Sequence, residues 1–175
     1  MNKMPQVMLA ILSVFHFGAS HLMAQADSKA VMIRGKFYVD VDDTCKIYLN
    51  GVSIHHAQDF YTITPQVALA DGDRLVIHVW DKGEPKGLKL FFVSTDRKWM
   101  INFPANSYRY WHDPEIMDFT VSEFQKLKDG PKKTGGKKDR ITFKNDSDFV
   151  WGDKPTGSSW LAVLINKNMV VPFKQ

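Results

Sequence analysis

Two short stretches of the chain alternate strictly between apolar and polar positions. They cover residues 37–41 and 45–49, and the acidic pair Asp42 and Asp43 lies between them. Apolar side chains at every second position are typical of a β-strand with one buried face. An Asn-Gly pair, which tolerates positive φ at both positions, follows at residues 50–51. The pattern predicts a β-hairpin that turns at the acidic pair and a second hairpin that turns at the Asn-Gly pair.

Further short apolar runs, separated by turn residues, continue to the end of the chain. Residues 74–80 are apolar on both faces, which is typical of a strand in the centre of a sheet. Residues 115–127 allow one short helix, with Thr120 or Ser122 as its N-cap and Glu123 in its first turn. We expect an all-β fold, an antiparallel β-sandwich of the jelly-roll type with at most one short helix, in which the first and last strands pair.

The N-terminal segment has the composition of a secretory signal. Lys3 precedes an apolar run at residues 7–17, and Ala24 and Ala26 provide the small-x-small pattern at which signal peptidase cuts. The run is shorter than the ~20 residues that span a bilayer, which argues against a membrane anchor. We expect residues 1–26 to be removed after Ala26 and residues 27–175 to form a single secreted domain with no membrane span.

Charge and cysteine content add two constraints. Without Lys3 the chain has 22 basic and 19 acidic residues, and a net charge of +3 does not call for a nucleic-acid partner. Basic residues concentrate in residues 128–140, KDGPKKTGGKKDR, which contain no apolar residue and are expected to form a flexible loop. Cys45 is the only cysteine and is in phase with Ile47, so we expect a buried thiol and no intermolecular disulfide.

Two segments near the predicted hairpins carry a recurrent motif. In residues 41–51, VDDTCKIYLNG, one strand ends in two acidic residues and the next finishes in Tyr-x-Asn-Gly. In residues 70–81, ADGDRLVIHVWD, a Gly-Asp turn leads into an apolar strand. Residues 33–81 as a whole resemble the galactose-binding-like jelly-roll modules of many secreted glycosidases and adhesins. The resemblance implies a jelly-roll fold and is compatible with sugar binding, although no known set of sugar-contact residues matches this chain.

Aromatic residues are the main candidates for ligand contact. Four of them stand close together among polar residues, and a fifth ends the predicted central strand: Tyr108, Tyr110, Trp111, His112 and Trp80. Tyr and Trp combine an apolar face, which can stack on the C–H face of a sugar ring, with a polar group for a hydroxyl. The alternative is packing in the core, which we expect for Trp99 and Trp160 because both lie in apolar runs.

Charged clusters are the second set of candidates. Asp40, Asp42 and Asp43 offer oxygen ligands to Ca²⁺, although their spacing is not that of an EF-hand, and the alternative is a solvated acidic turn. His55 and His56 are adjacent, so they diverge on a strand and lack a third ligand for Zn²⁺. The predicted basic loop offers cations to an anionic polymer, or serves only as a solubilising segment; its candidate residues are Lys132, Lys133, Lys137, Lys138 and Arg140.

No motif in the chain identifies a reaction. There is no Gly-x-Ser-x-Gly or His-Glu-x-x-His pattern, and the acidic residues give no sign of a pair across a cleft. Asn145 begins a glycosylation sequon that matters only in a eukaryotic source. We therefore expect a secreted, non-catalytic binding module without a cofactor, whose partner is a glycan or another extracellular matrix component. The alternatives are a structural matrix protein that contacts an anionic polymer or mineral, and an enzyme such as a glycosidase.

Overall fold

The computed structural model describes residues 30–81, 87–111, 117–130, 132–133, 145–151 and 157–174, so the predicted signal segment lies outside the described residues. The strands are β1 (Val31–Leu49), β2 (Val52–Ile63), β3 (Val67–Ala70), β4 (Arg74–Asp81), β5 (Leu88–Ser94), β6 (Trp99–Asn102), β7 (Arg109–Trp111), β8 (Lys128–Asp129), β9 (Lys132–Lys133), β10 (Val150–Trp151), β11 (Gly157–Leu164) and β12 (Val170–Pro172). One α-helix, α1 (Val121–Lys126), and two 3₁₀ turns, Ala105–Ser107 and Lys167–Met169, complete the elements. Within these residues no helix has the length and apolar character needed to cross a lipid bilayer.

The strands form a 12-stranded antiparallel sheet. Its main order is β12-β6-β5-β1-β4-β11-β7-β8, and β2 and β3 also pair with β1, while β10 connects β5 to β9. The predicted all-β antiparallel fold with one short helix is confirmed. The predicted pairing of the first and last strands is wrong, because in the described part of the chain β12 pairs with β6 and β1 pairs with β2 to β5.

The long strand β1 organises this sheet. Its residues 35–41 pair with β5, whereas its residues 44–49 pair with β4. Between the two halves the register against β2 shifts, and Asp43 adopts a φ of 62°. The hairpin turn predicted at Asp42 and Asp43 is therefore wrong. The acidic pair forms a β-bulge in a continuous strand, and the bulge allows one strand to leave β5 and join β4.

The second predicted hairpin is confirmed. Asn50 and Gly51 have φ values of 49° and 79°, as a two-residue turn of type I′ requires, and Tyr48 lies opposite Ser53. The Asn50 side chain donates to Asp73 Oδ1 at 3.1 Å and accepts from the backbone of Arg74 at 3.0 Å. The turn is thus tied to the start of β4. Residues 55–59 belong to β2.

The sheet curls so that strands from both halves of β1 contribute to one core. Side chains that are fully buried in it include Phe37 of β1, Ile77 of β4, Leu90 of β5 and Leu161 of β11. Burial of each such side chain contributes about 1.5–3 kcal/mol to folding. Cys45 lies in the same core with 0% exposure, which confirms its predicted burial. Burial raises the pKa of the Cys45 thiol to about 12.

Helix α1 covers part of the outer face of the sheet. Thr120 is its N-cap, and a capping box joins Thr120 Oγ1 to the backbone N–H of Glu123 at 3.2 Å and Glu123 Oε2 to the backbone N–H of Thr120 at 2.6 Å. The predicted helix and its cap are therefore confirmed. Just before the helix, Asp118 accepts two hydrogen bonds from the guanidinium of Arg74, at 2.6 and 2.9 Å. This pair joins the segment before the helix to β4, and the buried Phe119 packs in one cluster with Val76 of β4 and Trp160 of β11.

Candidate ligand-binding surfaces

A row of polar and aromatic side chains crosses β2, β1, β4 and β11 on the outer face of the sheet. His56 lies opposite Lys46, Lys46 opposite His78, and His78 opposite Trp160. Residues directly opposite each other in an antiparallel sheet point to the same face. Trp80 is two residues beyond His78 and therefore shares that face. We call the surface formed by His56, Lys46, His78 and Trp80 the Trp80 face.

The rings on the Trp80 face lie close together. His78 stacks on Trp160, with centroids 3.9 Å apart and planes inclined by 4°. Trp80 lies 4.7 Å from the His78 ring and 5.8 Å from the His56 ring, and Lys46 Nζ is 6.0 Å from the Trp80 centroid. Trp160 is buried at 3% exposure, as expected, whereas Lys46, His78 and Trp80 are half-buried and His56 is exposed. The surface therefore offers an aromatic platform, the imidazole of His56 and one cation to a ligand.

His55 does not join its neighbour on this face. It lies opposite Ile47 on the core side of β2, and its Nε2 is 3.3 Å from Thr62 Oγ1. Burial lowers the pKa of His55, and the charge of His56 lowers it further. Among the described residues, no three His, Cys, Asp or Glu side chains come together in a group that could hold a metal ion.

The aromatic cluster predicted at residues 108–112 does not form one exposed site. The prediction that Tyr108 contacts a ligand is wrong, because its side chain has 0% exposure in the main core. Burial raises the pKa of Tyr108, and the charge of Asp148 raises it further. Tyr110 is partly buried against the same core. The backbone of Trp111 pairs opposite Trp160, and His112 lies outside the described residues. The local sequence is polar, but the alternation of β7 directs Tyr110 inward.

The three aspartates predicted as calcium ligands occupy different environments. Asp40 is 4% exposed and lies opposite Lys89, itself 7% exposed, on one side and Tyr61 on the other. Asp42 and Asp43 are half-buried in the bulge of β1. A cross-strand lysine is a simpler counter-charge for Asp40 than a metal ion. The calcium site stays a prediction that titration with Ca²⁺ would test.

The predicted anion-binding residues are only partly within the described chain. The strand β9 places Lys132 opposite Trp151 and Lys133 opposite Val150. The other candidates, Lys137, Lys138 and Arg140, lie outside the described residues. At the sequon, Asn145 accepts from the backbone of Ser147 at 3.2 Å, and glycosylation of Asn145 stays a prediction.

A second surface, which the sequence did not indicate, surrounds the turn between β5 and β6. Trp99 was expected in the core, but 45% of it is exposed. It lines a cavity of about 460 Å³ together with Arg34 and Asp96. A smaller cavity of about 260 Å³ lies beside it and contains Lys36 and Arg97. Trp99 was misassigned because the run that follows it, Met100 to Phe103, is apolar and buried at every residue but Asn102, while Trp99 itself starts the strand.

A comparison of the chain with protein-family models, with curated protein sequences and with solved structures finds no match. The resemblance to galactose-binding-like modules therefore stays an expectation from residues 33–81.

Proposed function

We propose that this protein is a non-catalytic binding module that acts outside the cell and holds a carbohydrate on the Trp80 face. The observation that carries the proposal is the position of Trp80, half-buried between two histidine rings with Lys46 Nζ 6.0 Å from its centroid. The predicted signal at residues 1–26 supports an extracellular location.

The chemistry of the Trp80 face suits a pyranose ring. The C–H face of the sugar packs on the indole of Trp80, and its hydroxyls meet the ring nitrogens of His56 and the ammonium of Lys46. Gln58 and Thr44 lie opposite each other in the neighbouring row and add further donors and acceptors. Loss of the indole removes an apolar contact of about 1.5–3 kcal/mol, which is a tenfold to hundredfold loss in affinity.

A glycan array with neutral oligosaccharides tests the proposal, followed by titration of the best binder by calorimetry. We expect Trp80→Ala to weaken binding by at least about tenfold. Trp99→Ala is the matched control, because it removes a more exposed tryptophan from a different surface, and it should leave the affinity within about twofold.

Thermal unfolding of both variants checks that each is folded. The proposal is refuted if no neutral glycan binds, or if a folded Trp80→Ala variant binds as tightly as the unmodified protein.

A further inference from the structure

We propose a second binding site, for the acidic group of an anionic polysaccharide, in the cavity beside the turn between β5 and β6. We call it the Lys36–Arg97 groove. It is lined by Lys36, Tyr38, Gln66, Val93, Ser94, Thr95 and Arg97, and its volume is about 260 Å³. None of these residues belongs to the Trp80 face, so the inference does not depend on the function proposed for that face.

The charge of the Lys36–Arg97 groove is one-sided. Lys36 and Arg97 are both exposed, and no carboxylate is among the described residues that line the groove. The acid nearest in sequence, Asp96, lines the neighbouring cavity instead. Its carboxylate accepts from Ser94 Oγ at 2.6 Å and from the backbone of Lys98 at 3.1 Å, so it is engaged within the turn.

The donors in the groove match the geometry of an acidic sugar substituent. A guanidinium presents a planar fork that fits carboxylate or sulfate with two hydrogen bonds, and an ammonium adds a mobile point charge. The side-chain amide of Gln66 supplies a neutral donor in the same groove, whereas the hydroxyl of Thr95 donates to the backbone carbonyl of Arg34 at 3.3 Å. The groove is therefore built to hold an anion rather than a cation or an apolar group.

The backbone of Arg97 gives independent support. Its φ is 55°, in the left-handed region that Gly adopts without cost and that Asn and Asp tolerate. The two other described non-glycine residues with positive φ are Asp43 and Asn50, which are of the tolerated types. An arginine at a position where glycine costs less points to a role for its side chain beyond the turn itself.

The neighbouring cavity favours a polysaccharide over a free small anion. Ser94 and Thr95 line both cavities, and the larger cavity, of about 460 Å³, also contains the exposed Trp99 and Arg34. A chain of acidic sugars places a charged group in the Lys36–Arg97 groove and the apolar face of a nearby ring on Trp99. Inorganic sulfate or phosphate uses only the first of these contacts.

The test measures binding of two anionic polymers and one neutral polymer by the full chain. The probes are oligogalacturonate, which carries carboxylates, dextran sulfate, which carries sulfates, and uncharged dextran, each titrated at about 20 mM and about 200 mM NaCl. We expect at least one anionic probe to bind, more weakly at the higher salt concentration, and dextran not to bind at this site. Binding of one anionic probe alone identifies the acidic group, and binding of both shows that the charge is what is recognised.

Two variants and one matched control locate the site. Arg97→Gly should weaken binding of the anionic probe by about tenfold or more, while its melting temperature stays the same or rises because the backbone strain is removed. Lys36→Gln should weaken binding in the same direction. Lys98→Gln removes an equal charge from a residue that does not line the groove, and it should change the affinity by about twofold or less.

Several results would overturn the proposal. These are failure of both anionic probes to bind, unchanged binding by Arg97→Gly, or an equal loss in Lys98→Gln, which would indicate unspecific attraction. Tighter binding of a single-stranded oligonucleotide than of either polysaccharide would also overturn it. Trp80→Ala should leave binding of the anionic probes unchanged, so failure of one site does not imply failure of the other.

Discussion

Gly35 of β1 lies where the neighbouring strand β5 leaves no room for a side chain. Gly35 pairs with Ser94 of β5 on one side and with Val67 of β3 on the other. A Cβ placed on Gly35 would lie 2.0 Å from the carbonyl oxygen of Val93 and 2.8 Å from Cε1 of Phe92. We predict that Gly35→Ala strongly destabilises the protein, because there is no room for a methyl group.

The magnitude follows from the size of the clash. Ordinary contact begins near 3.4 Å, so β1 and β5 would have to separate by about 1.4 Å. The obstacle is a backbone oxygen, which cannot rotate away as a side chain can. Overpacking alone costs about 1–3 kcal/mol, and each ladder hydrogen bond that is lost adds about 1 kcal/mol. We expect a total of about 3–5 kcal/mol, a large part of the 5–15 kcal/mol typical of a domain.

Urea denaturation followed by tryptophan fluorescence measures this loss. Gly157→Ala is the matched control, because Gly157 has a φ of 94° and a Cβ there would meet no atom within 4 Å. Gly157→Ala should lower the free energy of unfolding by about 1–2 kcal/mol, because it strains the backbone but causes no clash. If Gly35→Ala costs no more than Gly157→Ala, the sheet relaxes freely at this point and the steric argument is wrong.

Three further predictions concern the core, the helix cap and the ion pair. Burial raises the pKa of Cys45 from 9.0 to about 12, so folding favours the neutral thiol and the free energy of unfolding should fall as the pH rises through this interval. The urea midpoint of the unmodified protein should therefore drop more steeply above pH 9 than that of Cys45→Ala. Thr120→Ala removes the N-cap of α1 and should cost about 1 kcal/mol in urea denaturation, whereas an unchanged midpoint would show that the cap does not contribute. Asp118→Asn breaks the partly exposed ion pair with Arg74 and should lower the free energy of unfolding by about 0.5–1 kcal/mol at low salt and by less at high salt. Equal losses at both salt concentrations would contradict this prediction.

Features that depend on local chemistry could be predicted from the sequence. The Asn50–Gly51 hairpin and the cap of α1 were predicted because their residues determine the backbone over three or four positions. Strand β4 was recognisable because apolar side chains on both faces require cover on both faces. The buried Cys45 followed from the same alternation.

Features that depend on distant parts of the chain could not be predicted. Trp99 was expected in the core but is exposed, and Tyr108 was expected at the surface but is buried. Polar or apolar neighbours in the sequence do not determine which side chain the rest of the fold covers. The row of the Trp80 face needs the registers of β2, β1, β4 and β11, which no local pattern contains. The Lys36–Arg97 groove likewise brings together residues from three separate segments.

The acidic pair in β1 illustrates how a correct local signal led to the prediction of a hairpin that does not form. Asp43 does adopt the positive φ that its turn chemistry suggested, but the chain continues forward instead of reversing. A bulge and a turn use the same backbone conformations, and only the strands on either side decide between them. Here β5 takes the first half of β1 and β4 the second, so Lys36 stands beside one set of strands and Lys46 beside the other. The bulge is therefore what allows one strand to supply a cation to each of the two proposed binding surfaces.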